Sequence, residues 1–289
     1  MESFYWLDSQ DKFVMQGGGK KCIFIKRSFM SDSMWFYLLV AVVSFLLVSL
    51  RSLIFGWLGY YYFYKSGLNK KKKLNPKYVS KKIIKKEFLL TMRSGIVFSI
   101  YYSIIASLYK NDWTLIYTNI EDYGWIYLIF SFIALMLIHD AYFYWTHRYM
   151  HSKHGRWISH GLHHQFSNPT PWAALALSYN ETLVSILIHP ILLCILPLHP
   201  SVFILYLLFN AMSNTFGHSG FALKSKIPFL SESKHHFLHH HNNEDHYGLY
   251  FNFWDNWFNK KERTWFSFVL LGQFIYWWGL LAPMYLLSL

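Results

Sequence analysis

This 289-residue chain predicts an all-α fold, an integral membrane helical bundle with a histidine-rich helical cap, and three observations predict it. Hydrophobic residues make up 54% of the chain and charged residues 15%, the balance of a protein solvated by lipid rather than water. The apolar residues gather in runs long enough to cross a bilayer, with a lysine-rich loop between the first two. All 16 histidines lie between His139 and His246, in groups with helical spacing at and beyond the end of the third run.

Residues 1–33 read as an N-terminal tail in which Gly17, Gly18 and Gly19 are flexible, because the strand and helix that flank a phosphate-binding glycine loop are not predicted around them. Residues 34–50 carry no charge and continue past Arg51 into SLIFGWLGYYYFY, enough for one tilted span with an aromatic end. Arg51 must therefore face protein, water or a headgroup. Ten lysines between Lys65 and Lys86 mark a cytoplasmic loop and supply much of the net charge of +12. A nucleic-acid patch is a poor reading for a loop wedged between two spans.

Residues 89–109 then return across the bilayer, 111–124 turn on the far side, and 125–145 come back to the cytoplasmic face. Between Glu181 and Lys224 no charged residue occurs, and His189-Pro190, Pro197 and His199-Pro200 break the stretch. That punctuation predicts a helical hairpin turning near ILPLHP and returning to the face it left. Residues 265–289 are long enough for another crossing or for a helix in the interface. No cleavable signal peptide is expected, since the first apolar run starts only at Met34. Cys22 and Cys194 are too few and too distant for a disulfide framework, which agrees with a reducing compartment. The organisation expected is a tail (1–33), membrane helices with a basic loop (34–122), a catalytic unit (123–260) and a C-terminal hydrophobic helix (261–289).

The histidines carry the chemistry. Residues three or four apart share a helix face while immediate neighbours diverge by about 100°. His147 and His151 converge on that rule. In HGLHH, His160 is followed by the diverging pair His163 and His164, and in HHFLHH, His236 is followed by His239 and His240, so each pair can turn toward two different ions. Eight imidazoles exceed the needs of one tetrahedral zinc and suit a dinuclear centre. Interleaved aromatics distinguish these groups from a purification tag or a storage tract. His154, His241 and His246 read as solvent-facing or supporting, His189 and His199 as interfacial or capping. A membrane metal-transport or metal-storage protein is the rival reading, and it expects ligands within the spans rather than beyond them. A b-type haem protein needs fewer histidines and leaves the HxxHH pairs unexplained.

HDAYFYWTHRYMH, HxxHH before SNPTPWAA, GHSG at 217–220 and HHFLHHHNNEDHYGLYFNFWDNWF resemble, in that order, the fatty acid hydroxylase and sterol desaturase superfamily over residues 123–258. NPTPWAA with the PLHP turn is most similar to the lathosterol-oxidase-like branch. The resemblance implies two iron ions, O2 as co-substrate, a sterol or fatty acyl lipid substrate whose C–H bond is hydroxylated or desaturated, and electrons from a b-type cytochrome or ferredoxin with its reductase. It implies the endoplasmic reticulum for a eukaryotic source and the inner membrane for a bacterial one. Carried over, the ligands are His147, His151, His160, His163, His164, His236, His239 and His240, with His218 of GHSG a ninth and His139, which opens the first motif, a tenth with a hydrogen-bonding alternative. Asp140, seven residues before His147, is a supporting acceptor for an imidazole N–H or a polar group at the helix end. Many relatives carry Phe-His-Pro where this chain has Leu177, Ser178 and Tyr179; either Glu181, a water or another histidine is then expected to fill that place, or the site binds metal differently, and Glu181 is expected with Asp140 as a residue supporting the ligands. Tyr142, Phe143, Trp145, Trp157 and Trp172 are candidates for the walls of a substrate tunnel or for interface packing.

Overall fold

The computed structural model describes residues 4–7, 12–17, 20–25, 34–67, 72–77, 79–243 and 245–258. The span expected at 265–289, with Gly18 and Gly19, lies outside them. Two compact units divide the chain, residues 1–39 and 40–289.

The first unit departs from the expected tail. Strands β1 (Phe4–Leu7), β2 (Lys12–Gly17) and β3 (Lys20–Ile25) form an antiparallel meander in the order β1-β2-β3, with Gly17 paired to Lys20.

Among the described residues, three helices are long and apolar enough to cross a membrane: α1 (Met34–Tyr60, continued by the turn Tyr61–Lys65), α2 (Lys81–Lys110) and α3 (Gly124–Met150). The 30 residues of α2 rise about 45 Å, more than a bilayer's hydrocarbon thickness. In α1 the leucines and valines at 38, 39, 42, 43, 46, 47 and 50 face outward, as lipid-facing residues do. Gly56 and Gly59 let α1 approach the rest of the bundle: a Cβ on Gly56 would sit 2.5 Å from the Trp172 ring, and one on Gly59 2.9 Å from Thr215 Cγ2. Ser80 caps α2 by accepting from the Ile83 N–H, which fixes where the basic loop ends.

Helices α5 (Tyr179–Ile195) and α6 (Pro200–Gly217) form the expected hairpin, broken at residues 196–199. His199 caps α6 through the Ser201 N–H, and Pro200 takes the first helical position, where no donor is needed. The turn reaches the far end of the bundle: the Leu115 N–H donates to the Leu193 carbonyl at 2.8 Å, and the Tyr127 hydroxyl to the Pro197 carbonyl at 3.0 Å. Both free ends of the hairpin return to the opposite end. A core of Ile105, Leu135, Met136, Ile188, Leu192, Leu198, Val202 and Tyr206 ties α2, α3, α5 and α6 together.

The basic loop and the histidine segments share one end of the bundle. The Ala222 N–H donates to the Lys72 carbonyl (2.7 Å), Leu74 N–H to the Gly220 carbonyl (3.0 Å), and Lys86 Nζ to Gln165. Short elements build the cap there: α4 (Gly161–His164), the 3-10 turns His154–Ile158 and Pro171–Leu175, α7 (Ser233–Asn242) and α8 (Phe253–Phe258). Buried Glu87 of α2 anchors the second turn by accepting from the Thr170 N–H (3.2 Å) and its hydroxyl.

Candidate metal centre

Nine histidines meet in two groups at this end of the bundle, the ligand atoms of each lying within 4.8 Å of one another. The first group is His147, His151, His160, His164 and His239; the second is His163, His218, His236 and His240. His147 and His151 come from the last turn of α3, His160, His163 and His164 from α4 and its N-terminal neighbour, His218 from the end of α6, and the remainder from α7. Adjacent histidines separate as the helical angle requires: His163 and His240 face one group, His164 and His239 the other.

Hydrogen bonds at the far side of five of the nine rings fix their tautomers. The Nδ1 atoms of His147, His163, His218 and His239 face the carbonyls of Tyr247 (3.0 Å), Ala176 (3.4 Å), Asn214 (2.7 Å) and Asp245 (2.7 Å). A carbonyl only accepts, so these nitrogens carry the proton and leave a lone pair on Nε2. Glu181 Oε1 does the same for His160 Nδ1 at 2.6 Å. The lone pairs converge: His147 and His160 Nε2 lie 3.0 Å apart, His163 and His218 Nε2 likewise, and His236 Nε2 is 2.9 Å from His218 Nε2. Two acceptors at that distance repel, and buried Nε2 atoms of His151, His239 and His240 have no partner. Imidazoles ligating at about 2.1 Å stand about 3.0 Å apart when adjacent in an octahedron, so cations fit both groups.

Burial also keeps these rings neutral, the form that ligates. It pushes His164 down to about 3 and His151 and His218 to about 4. His160, His163, His236, His239 and His240 are held well below the usual histidine value, first by burial and then by neighbouring imidazoles.

Other expected site residues are placed differently. His139 lies outside both groups, its Nδ1 3.1 Å from the Tyr250 hydroxyl. Asp140 reaches no imidazole; Oδ1 accepts the Tyr250 N–H at 2.7 Å and so pins the 249–251 segment onto α3. About two turns of α3 separate its carboxylate from the ring it was expected to support. Ser178 and Glu181 form a capping box at the start of α5, while the Ser178 hydroxyl donates to the Ile158 carbonyl at 2.7 Å. Glu181 thus stands behind His160 rather than among the ligand atoms. His189 is buried inside the hairpin, 3.0 Å from the Tyr206 hydroxyl, not at an interface. The carbonyl acceptors were invisible to sequence reasoning because every residue carries one.

A cavity of about 70 Å³ lies against both groups. His147, His160, His163, His218 and His236 line it together with Asn214; Phe98, Phe143, Met150, Leu175 and Leu177 give it an apolar wall; and His139, His189 and Asn210, about two turns along α3, α5 and α6 from the histidine groups, complete its lining. Trp172 lines a neighbouring cavity, Tyr142 donates to the Val184 carbonyl (2.6 Å), and Trp145 and Trp157 face outward.

Residues 132–260 match the fatty acid hydroxylase family. The chain is 31% identical over 202 residues to lathosterol oxidase of Rattus norvegicus, covering 68% of this chain and 66% of that protein. It is 33% identical over 135 residues to lathosterol oxidase of Homo sapiens (46% of this chain, 45% of that protein) and 29% identical over 151 residues to a Delta(7)-sterol 5(6)-desaturase of Gibberella zeae (52% and 47%). The match therefore spans just under two thirds of the rat protein's length and about half of the other two. No solved structure matches the chain. With the histidine groups in place, these similarities make the chain a member of the fatty acid hydroxylase family, on its sterol desaturase branch.

Proposed function

We propose that this protein is an oxidoreductase that desaturates a sterol at a pair of irons held by His147, His151, His160, His164 and His239 and by His163, His218, His236 and His240. The observation that carries it is the convergence of Nε2 lone pairs, their tautomers fixed from behind, against one end of an apolar-walled cavity. Two irons bound there supply dioxygen reduction, in which O2, two electrons and two protons take two hydrogens from adjacent carbons and leave a double bond and two waters. The relatives' names supply the substrate class.

The chain's own residues do the rest. Glu181 and the carbonyls of Tyr247, Asn214 and Asp245 orient the rings. Phe98, Phe143, Met150, Leu175 and Leu177 exclude water from the carbon presented to the histidines. The basic loop at the same end supports a site on the cytoplasmic face, and a b-type cytochrome or ferredoxin with its reductase is the electron donor proposed there. The test is sterol profiling and metal analysis of cells and purified protein, wild type against His163→Ala and His239→Ala. The expected result is two non-haem irons per wild-type chain and loss of an unsaturated sterol in both variants. Unchanged sterols with variable zinc or nickel loading would support metal transport instead.

A further inference from the structure

The end of the cavity away from the histidine groups is polar, deep in the bundle, and takes no part in ligation. His189 is 3% exposed; its Nε2 faces the Tyr206 hydroxyl at 3.0 Å, while its Nδ1 is buried with no partner. The Tyr206 hydroxyl contacts that of Tyr250, which faces His139 Nδ1 at 3.1 Å. Four side chains thus form a file, His139–Tyr250–Tyr206–His189, that ends on an unmatched, buried nitrogen of a residue lining the cavity. Asn210 lies on the same wall, and Arg51, whose Nη1 donates to the Leu207 carbonyl at 3.4 Å, lines the adjoining space. An unmatched polar atom is costly inside a membrane protein unless something pairs with it.

We propose that this polar end binds the hydroxyl of the substrate, with His189 Nδ1 as its direct partner and Tyr206 holding the ring. The proposal rests on the sterol reading, because a sterol carries one hydroxyl on an otherwise apolar body. Distance along the helices supports it. His189 lies eight residues after Glu181 on α5, and His139 eight residues before His147 on α3, each about 12 Å along the axis. A hydrogen bond of about 2.8 Å at the polar end and a reacting contact of about 3–3.5 Å at the histidine end leave room between hydroxyl and reacting carbon for about one ring and not for a long chain. In a sterol the 3-hydroxyl shares its ring with C5, one of the carbons named in the 5(6)-desaturases this chain resembles. A fatty acid, whose carboxylate lies many methylenes from a mid-chain carbon, does not fit that interval.

Equilibrium binding tests this on full-length protein in nanodiscs, metal-free and iron-loaded, with a radiolabelled Δ7 3β-hydroxysterol and its 3-deoxy counterpart. Wild type is expected to prefer the hydroxysterol by about tenfold, the worth of one good hydrogen bond. His189→Leu is expected to bring the ratio to about one by weakening the hydroxysterol alone, and Tyr206→Phe to reduce it two- to threefold, both at unchanged iron content. Equal wild-type affinity for the two sterols, or a ratio preserved in His189→Leu, overturns the proposal. Should His189→Leu lose iron, Tyr206→Phe decides: an unchanged ratio counts against the hydroxyl site. Wild type that binds neither sterol overturns the sterol reading itself.

Discussion

Glu181 offers the sharpest test of how the first histidine group is held. Its carboxylate accepts from His160 Nδ1 at 2.6 Å and also closes the capping box of α5. Gln at this position keeps the box, since its amide can serve the same reciprocal bond, but loses the charge that strengthens the bond to His160. Hydrogen bonds to a charged partner contribute about 1.5–3 kcal/mol, and weakening the partner behind a metal-ligating histidine typically costs 10–100-fold in metal affinity. Glu181→Gln is therefore expected to lower the affinity of the first group by about tenfold with little change in fold. Glu181→Leu leaves the buried His160 N–H without an acceptor and removes the return bond of the capping box while the Ser178 cap stays, costing about 1–3 kcal/mol in stability. The assay is iron per chain after equilibration against a graded chelator, with thermal melts alongside. In Glu181→Gln one iron should leave at lower chelator concentration while the iron of the group His163, His218, His236 and His240 stays. Equal loss of both irons, or a wild-type chelator profile, would refute the reasoning.

Falling pH should destabilise the metal-free protein. Burial lowers His151 and His218 to about 4 and His164 to about 3, so below the free value of 6.5 the unfolded chain takes up protons that the folded chain refuses. Urea midpoints should be flat above about pH 6.5 and drop steadily from there toward pH 4; a midpoint independent of pH over that range would contradict the burial. Gly155→Ala should be poorly tolerated, because its Cβ would sit 1.9 Å from the Tyr149 carbonyl oxygen between His151 and His160. A cost of roughly 1–3 kcal/mol and reduced iron content are expected, and wild-type melting would argue against that backbone path. Asp140→Leu strips the Tyr250 N–H of its acceptor, with a cost of about 1–3 kcal/mol. Hydrogen exchange at residues 249–251 should rise while that of α2 does not.

The helical spacing of HRYMH, HGLHH and HHFLHH made the division into two groups legible, because helix geometry alone decides which way adjacent rings point. Proline and histidine-proline pairs likewise announced the α5–α6 hairpin, and the lysines marked the end of the bundle where the histidines lie. What stayed hidden depends on partners remote in sequence. His139 and Asp140 find theirs 111 and 110 residues away, in a segment whose route no local pattern reveals. Their position on α3 suggested ligation or support for His147, yet the Tyr250 segment crosses α3 at their level and takes both. The β1–β3 meander carries only the weak signal of short apolar runs, which the membrane-like composition of the chain obscures.

Because His147 to His164 precede the α5–α6 hairpin and His236 to His240 follow it, the ribosome delivers the two halves of each histidine group well apart in time. Until the hairpin has inserted and α7 has been made, the first group lacks one of its five nitrogens and the second lacks at least half of its four. On the proposed reading, completion of the metal centre is thereby deferred until membrane insertion is complete, and a chain stalled before His236 should hold less iron than the full-length protein.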